Sequence, residues 1–143
     1  MNRDDFTILR NSNIVYFDNG ATTLKPKILA KTTSDYYDNY SANAHRGDYG
    51  VSLYVDSLYD KTREKVKEFI NASSSKEIVF TSNATDSLNK IIFGYYKKIL
   101  KKDDEVIITK SEHASNVLPW YELKDEIGIV IKYIDLSSDY SVT

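Results

Sequence analysis

A strand-like run followed at once by a helix start is the first candidate for chemistry in this sequence. Residues 77–81 are rich in β-prone side chains, and the apolar residues after them recur with helical spacing. Asn83 is a predicted N-cap, and Asp86 lies three residues later at the acidic position of a capping box. Such a turn directs free backbone N–H groups and the positive end of a helix dipole at one place, so it can bind phosphate. The hydroxyls available as further donors belong to Thr81, Ser82 and Thr85. The same pattern also fits an ordinary strand-to-helix connection.

Two histidine-containing loops are the other candidates. His113 follows the predicted strand 106–109, and its imidazole suits acid–base work, metal binding or stacking, although a lone histidine in such a place is more often a surface loop residue. Asn116 is a potential hydrogen-bond donor to a ligand or a turn residue. His45 and Arg46 are adjacent, and a guanidinium beside an imidazole can bind carboxylate or phosphate, or simply face solvent. With two histidines, no cysteine and no metal-ligand spacing, we predict no metal site.

The predicted elements place two of these loops together. From residue 77 onward the order is strand, helix 84–100, strand 106–109, a loop with a short helix around 120–124, and strand 127–134. This alternation predicts a parallel sheet with crossover helices, in which ligands bind at the carboxyl ends of the strands. The loops after residues 81 and 109 therefore open on one edge, which favours the anion site.

The first half of the chain is predicted to be a strand over 14–18, a turn, a helix that starts near Pro26, an irregular loop over 40–50 and a long helix over 52–70. A short helix or an ordered lead-in is expected over residues 2–9. We divide the sequence into an N-terminal part, 1–76, and an α/β part, 77–143.

Composition excludes several classes of function. The 143 residues carry a net charge of −2, which gives no electrostatic reason to expect nucleic acid or membrane partners. No apolar run has the length of a transmembrane helix, and the N-terminus lacks a secretory signal, so a cytoplasmic protein is expected. No dinucleotide-binding, Walker A or nucleophile-elbow motif is present.

Four stretches in register resemble one family. They are YFDNGATT at 16–23, NAHRG at 43–47, FTSNATDSLN at 80–89 and SEHASNVLPW at 111–120. Together they are similar to the N-terminal part of a class V aminotransferase-fold enzyme, most of all to the SUF-type (group II) cysteine desulfurase and selenocysteine lyase branch. The resemblance implies part of the large α/β domain of fold-type I enzymes that use pyridoxal 5′-phosphate (PLP), preceded by a helical and loop segment.

The resemblance also implies roles for individual residues. Ala84 and Thr85 match the turn that holds the PLP phosphate, and Asn83 belongs to the same turn. His113 matches a histidine that stacks on the pyridine ring and assists proton transfer, which suits a flat imidazole over an electron-poor ring. The residues implied to lie in loops on the substrate side of the site are Asn19, Gly20, Ala21, His45 and Arg46.

Three positions depart from the family pattern. Asn83 stands where glycine is usual, and we expect the turn to survive because asparagine tolerates a left-handed backbone. Asp86 replaces a glutamate, which shortens that carboxylate. Gly20 replaces an alanine, which is a mild change.

The resemblance implies that the lysine forming the Schiff base with PLP, the aspartate beside the pyridine nitrogen and the persulfide cysteine lie beyond the position matching Thr143. We therefore expect this chain alone to be catalytically incompetent, as part of an enzyme that takes sulfur from L-cysteine, giving alanine and persulfide for iron–sulfur or sulfur-transfer pathways. A homodimer or a pairing with a C-terminal half is expected. The alternatives are a non-catalytic module that binds PLP, phosphate or a homologue, and a remnant of a truncated gene.

Overall fold

The computed structural model describes residues 2–139 and 141, and the chain divides into two compact units. One unit ends at Ile78 and the other begins at Val79. No helix among the described residues combines the length and apolar character needed to cross a membrane.

The first unit is helical, with long connecting segments. Its elements in chain order are a 3₁₀ turn at Arg3–Asp5, helix α1 at Thr7–Arg10, helix α2 at Lys27–Asn39, helix α3 at Gly50–Phe69 and a 3₁₀ turn at Ser75–Glu77. These bounds confirm the predicted lead-in and both predicted long helices. The observed ends of α3 differ from the predicted ones by at most two residues. Pro26 immediately precedes α2 as its N-cap, where a residue without an N–H leaves no intrahelical bond unmade.

The second unit is a two-stranded parallel sheet with helices. Its elements are helix α4 at Ala84–Ile91, a π-helical segment at Ile92–Tyr96, helix α5 at Lys97–Ile99, strand β1 at Glu105–Thr109, a 3₁₀ turn at Ala114–Asn116, helix α6 at Leu118–Ile127 and strand β2 at Val130–Ile134. The strands pair in parallel, from Glu105 opposite Val130 to Thr109 opposite Ile134. α6 is the crossover between them, as the alternation of predicted elements indicates.

Apolar side chains from each layer of this unit form its core. The buried members are Ile92, Ile108, Trp120, Leu123 and Ile129, and partly buried apolar residues from α4, β1, α6 and β2 pack around them. Leu123, on α6, is the member of this cluster with the lowest exposure, at 0%. Burying one such side chain contributes about 1.5–3 kcal/mol, so these few residues are the main source of the unit's stability.

Two predicted strands are wrong. Residues 14–18 make no ladder with any described residue, and Phe17 there is 90% exposed. Residues 77–81 begin inside the turn at Ser75–Glu77, which Ser74 caps, and continue as an extended but unpaired segment in which Val79 is 71% exposed. β-Branched composition favours a strand only where a neighbouring backbone offers hydrogen bonds, and the described residues supply one ladder, β1 with β2.

The remaining boundaries differ in smaller ways. The helix predicted over 84–100 is present to Ile99, with the π-helical segment in its middle. The helix predicted around 120–124 is longer, at Leu118–Ile127. It takes up the start of the strand predicted from 127, because Gly128 then ends the helix with a left-handed backbone (φ 85°) and β2 begins only at Val130.

Candidate functional site

The first turn of α4 begins with the predicted cap. The Asn83 side-chain oxygen accepts the backbone N–H of Asp86 at 2.9 Å, which confirms Asn83 as the N-cap. Its backbone is fully extended (φ −170°, ψ 176°), a conformation open to any residue. The expectation that asparagine needs its left-handed tolerance here is therefore wrong, and the change from the family's glycine causes no backbone strain.

Asp86 stabilises the same turn from the helix side. Its carboxylate accepts the backbone N–H of Ser82 at 3.2 Å and forms an ion pair with Lys90 one helical turn later. The predicted capping box is thus modified, because the carboxylate reaches Ser82 and not the N–H of the cap residue. The bond from Lys90, and then that from Ser82, hold the pKa of Asp86 below its ordinary value, so the carboxylate stays charged in mild acid.

Two backbone donors at this helix start remain unused. The N–H groups of Ala84 and Thr85 donate to no acceptor among the described residues, and both residues are exposed. Thr81 is not a third donor of the expected kind, because its hydroxyl pairs with the Ser87 hydroxyl at 2.6 Å inside the turn. The arrangement therefore offers an anion two parallel N–H groups at the positive end of the α4 dipole.

The 3₁₀ turn that carries His113 packs against α4. His113 is the N-cap of this turn, and its ring nitrogen Nδ1 accepts the backbone N–H of Ser115 at 3.2 Å. The imidazole is exposed. The second unit therefore brings together two of the predicted site features, the turn at Ala84 and Thr85 and the loop with His113.

Asn116 and Trp120 have structural contacts in this region. The Asn116 amide donates to the Glu112 carboxylate at 3.0 Å, so this donor is engaged within the loop. The other Glu112 oxygen accepts from the Thr109 hydroxyl at 3.2 Å, at the end of β1. Sequence reasoning missed Glu112, whose position directly before His113 was the available signal.

Trp120 lies in the core and meets Tyr96 edge to face with ring centroids 5.5 Å apart, as expected of a packing residue.

The remaining candidates lie in the first unit. Asn19, Gly20 and Ala21 form an exposed turn in which the Ala21 N–H donates to the Asp18 carbonyl at 3.2 Å. The Tyr16 hydroxyl closes this turn by donating to the Thr22 carbonyl at 2.5 Å. These bonds fix the backbone of the turn and leave its side chains in solvent.

His45 is held by helix α3. Its backbone N–H donates to the Asp56 carboxylate at 2.5 Å, and its Nδ1 lies 3.4 Å from the same oxygen. Its ring meets Tyr59 edge to face, and its backbone is left-handed (φ 62°). Arg46 is exposed and forms no hydrogen bond or ion pair with the described residues, so its guanidinium is available to an anion. Asp56 was missed because it lies eleven residues away on another element.

We expect Gly47→Ala to destabilise the first unit by about 1–3 kcal/mol, the usual cost of overpacking. An added Cβ would lie 2.7 Å from the Ser52 Oγ and 2.8 Å from its Cβ. Ser52 is fully buried and donates to the Asn43 carbonyl at 2.9 Å, so it cannot move without breaking that bond. Urea unfolding followed by circular dichroism measures the loss.

The matched control is Gly20→Ala, because no heavy atom beyond the two neighbouring residues in the chain lies within 4 Å of the added Cβ at Gly20. We expect a change within about 0.5 kcal/mol, as for other surface substitutions. Equal destabilisation by both variants would contradict the packing explanation and would indicate a general intolerance of the loops to alanine.

The chain is similar to one family of known proteins. The family model described as aminotransferase class V matches residues 15–143. A protein named probable cysteine desulfurase from Borreliella burgdorferi is 46% identical over 135 residues, which cover 91% of this chain and 32% of that protein. The chain spans about a third of the length of the curated relatives it matches.

Solved structures show the same similarity in three dimensions. An apo cysteine desulfurase from Thermococcus onnurineus superimposes with a TM-score of 0.89 at 35% identity, covering 98% of this chain and 34% of that one. A structure with glycine covalently linked to a PLP cofactor has a TM-score of 0.76 at 19% identity, covering 94% of this chain and 33% of that one, and shows the fold alone. The predicted fold class, part of a PLP fold-type I domain with a parallel sheet, is confirmed.

Proposed function

Since this chain belongs to the aminotransferase class V family, we propose that it is the N-terminal, cofactor-phosphate-binding part of a PLP-dependent cysteine desulfurase. The reaction would remove sulfur from L-cysteine, giving alanine and a persulfide for iron–sulfur assembly or sulfur transfer. The observation that carries the proposal is the start of α4, where two backbone N–H groups have no acceptor in the part of the chain that the structure describes. The same helix packs against the His113 turn.

The donor set at α4 fits the phosphate end of PLP. A phosphate ester presents several acceptor oxygens and negative charge, and the free N–H groups of Ala84 and Thr85 offer charge-assisted hydrogen bonds along the helix dipole. Each such bond contributes about 1.5–3 kcal/mol. The Thr85 hydroxyl is a third donor in the proposed set, while Asn83 shapes the turn through its cap to Asp86.

His113 is the proposed proton-handling residue. Its exposed imidazole offers a flat face to the pyridine ring and a free nitrogen, Nε2, to a reacting group. Bound PLP would supply an electron sink for bond cleavage next to the amino group of the substrate. The chain's own contribution is to hold the phosphate and to keep one proton donor or acceptor at a fixed place.

The first unit is proposed to serve the substrate. The turn of Asn19, Gly20 and Ala21 and the pair of His45 and Arg46 are its candidate residues, as the family resemblance implies. Arg46 suits the carboxylate of an amino acid, because a guanidinium binds a carboxylate through two parallel N–H donors.

The covalent lysine and the sulfur-carrying cysteine would come from the part that corresponds to the other two-thirds of the relatives. The 143 residues contain no cysteine, so they cannot themselves carry a persulfide. Large exposed apolar side chains support the proposal that another polypeptide surface covers parts of this chain. Phe17 and Phe69 are each 90% exposed. We propose that a second copy or a C-terminal half covers such surfaces.

A non-catalytic module that binds PLP, phosphate or a homologue is the second candidate. It is favoured by the same free N–H groups, because phosphate binding at α4 requires neither lysine nor cysteine. The division at residues 76 and 77 and a cytoplasmic location stay predictions.

The desulfurase proposal is tested by a chimera in which this chain replaces the matching third of the Borreliella burgdorferi relative. With PLP and L-cysteine, we expect alanine to form, and we expect His113→Ala in the chimera to lower the rate by about 10²–10⁴-fold, the usual contribution of general acid–base catalysis. A chimera that folds and binds PLP but forms no alanine would refute the desulfurase proposal and leave the binding module as the better one.

A further inference from the structure

The imidazole of His113 is tied through one of its two ring nitrogens. Nδ1 accepts the backbone N–H of Ser115 at 3.2 Å and lies 2.7 Å from the Ser115 hydroxyl oxygen. Nε2 has no hydrogen-bond partner in the part of the chain that the structure describes. The two nitrogens of the ring are thus in opposite situations, one engaged by the protein and one open to a ligand.

This asymmetry fixes where the hydrogen of the neutral ring lies. A neutral imidazole has one N–H and one acceptor nitrogen. Because Nδ1 accepts the Ser115 N–H, it has no hydrogen of its own, and the hydrogen of the ring is on Nε2. The Ser115 hydroxyl, which lies close to the same nitrogen, then also acts as a donor to it. Both groups of Ser115 therefore favour the same tautomer.

The turn that presents Ser115 to His113 is itself fixed. Glu112 bridges the Thr109 hydroxyl at the end of β1 and the Asn116 amide in the turn, at 3.2 Å and 3.0 Å. The Asn116 backbone N–H donates to the His113 carbonyl at 2.8 Å. All three side chains of this bridge are half-buried. The turn that holds the imidazole is consequently tied to the end of β1.

We propose that Ser115 is a positioning residue that holds His113 in the Nε2–H tautomer, so that His113 presents a hydrogen-bond donor at Nε2. Its part in a reaction rests on the proposed function, because only a cofactor or substrate beside His113 would receive that hydrogen. The tautomer itself does not depend on any ligand and is a property of the turn.

The tautomer is measured by ¹⁵N NMR of the 143-residue chain without ligand, through the couplings between ring nitrogens and ring carbon-bound hydrogens. The chain has two histidines, and the signals are assigned with His45→Gln. At a pH of about 8.5, where an ordinary imidazole is neutral, we expect His113 to show an acceptor-type Nδ1 and an N–H-type Nε2. An N–H-type Nδ1, or the averaged shifts of a freely exchanging ring, would overturn the proposal.

Three variants separate positioning from general stability. Ser115→Ala removes one of the two donors, so we expect the His113 nitrogen shifts to move toward the freely exchanging average, and Ser115→Thr is expected to restore them. Ser111→Ala is the matched control, since the Ser111 hydroxyl contacts Thr109 and not the ring. Because alanine keeps the backbone N–H, unchanged His113 shifts in Ser115→Ala would overturn the role proposed for the Ser115 side chain. Binding of pyridoxine 5′-phosphate, which has the phosphate of PLP but no aldehyde, is measured separately by calorimetric titration of the same chain. A failure of the tautomer proposal is therefore distinguishable from a failure of the proposed function.

Discussion

Leu123→Ala is expected to remove about 2–5 kcal/mol from the stability of the second unit, the usual cost of truncating a buried leucine. Leu123 is fully buried on α6 and belongs to the cluster that joins the π-helical segment, β1 and the residue before β2. A unit of this size has a total stability of about 3–10 kcal/mol. The variant should therefore be largely or wholly unfolded in this unit, as measured by Trp120 fluorescence during urea titration.

Leu118→Ala is the matched control for this result. It removes the same atoms from the same helix, but Leu118 is 61% exposed, so little buried surface and no cavity are involved. We expect a loss below about 1 kcal/mol. If Leu123→Ala and Leu118→Ala shifted the urea midpoint equally, the cluster around Leu123 would not be the core that the packing indicates.

The features that the sequence predicts well depend on residues close together in the chain. The cap at Asn83 and the carboxylate of Asp86 act over three or four residues, and the apolar period of α4 sets its buried side. β1 was predicted within one residue, because its apolar run is paired and partly buried. For the start of α4 and for β1, the interactions between nearby residues that the sequence predicts are present in the structure.

The features that could not be predicted from the sequence depend on contacts between residues far apart in the chain. Residues 14–18 have strand composition but no neighbouring strand among the described residues, and composition does not reveal whether a ladder exists. The bond from His45 to Asp56 and the close approach of Gly47 to Ser52 require α3 to lie beside the loop. Ser115 is a small polar loop residue, and only the folded 3₁₀ turn brings its two donors to the His113 ring.

Ala84→Pro is expected to weaken binding of a phosphate ester while leaving α4 intact. The substitution deletes one N–H that has no acceptor among the described residues, at the first helical position, where proline is well tolerated. The extended backbone of Asn83 is the conformation preferred before proline. Loss of one hydrogen bond to a charged group costs about 1.5–3 kcal/mol, which corresponds to a 10- to 150-fold rise in Kd.

Pyridoxine 5′-phosphate is the probe for this measurement, because it has the phosphate of PLP but no aldehyde to react with surface lysines. Calorimetric titration of the 143-residue chain compares Ala84→Pro with Ala84→Val, which has a side chain of similar size and keeps the N–H. We expect weakened binding only in the proline variant, and no binding of pyridoxine, which lacks the phosphate. Equal affinity of the proline and valine variants would show that the start of α4 does not hold the phosphate, whereas equal binding of pyridoxine would place the recognition on the ring.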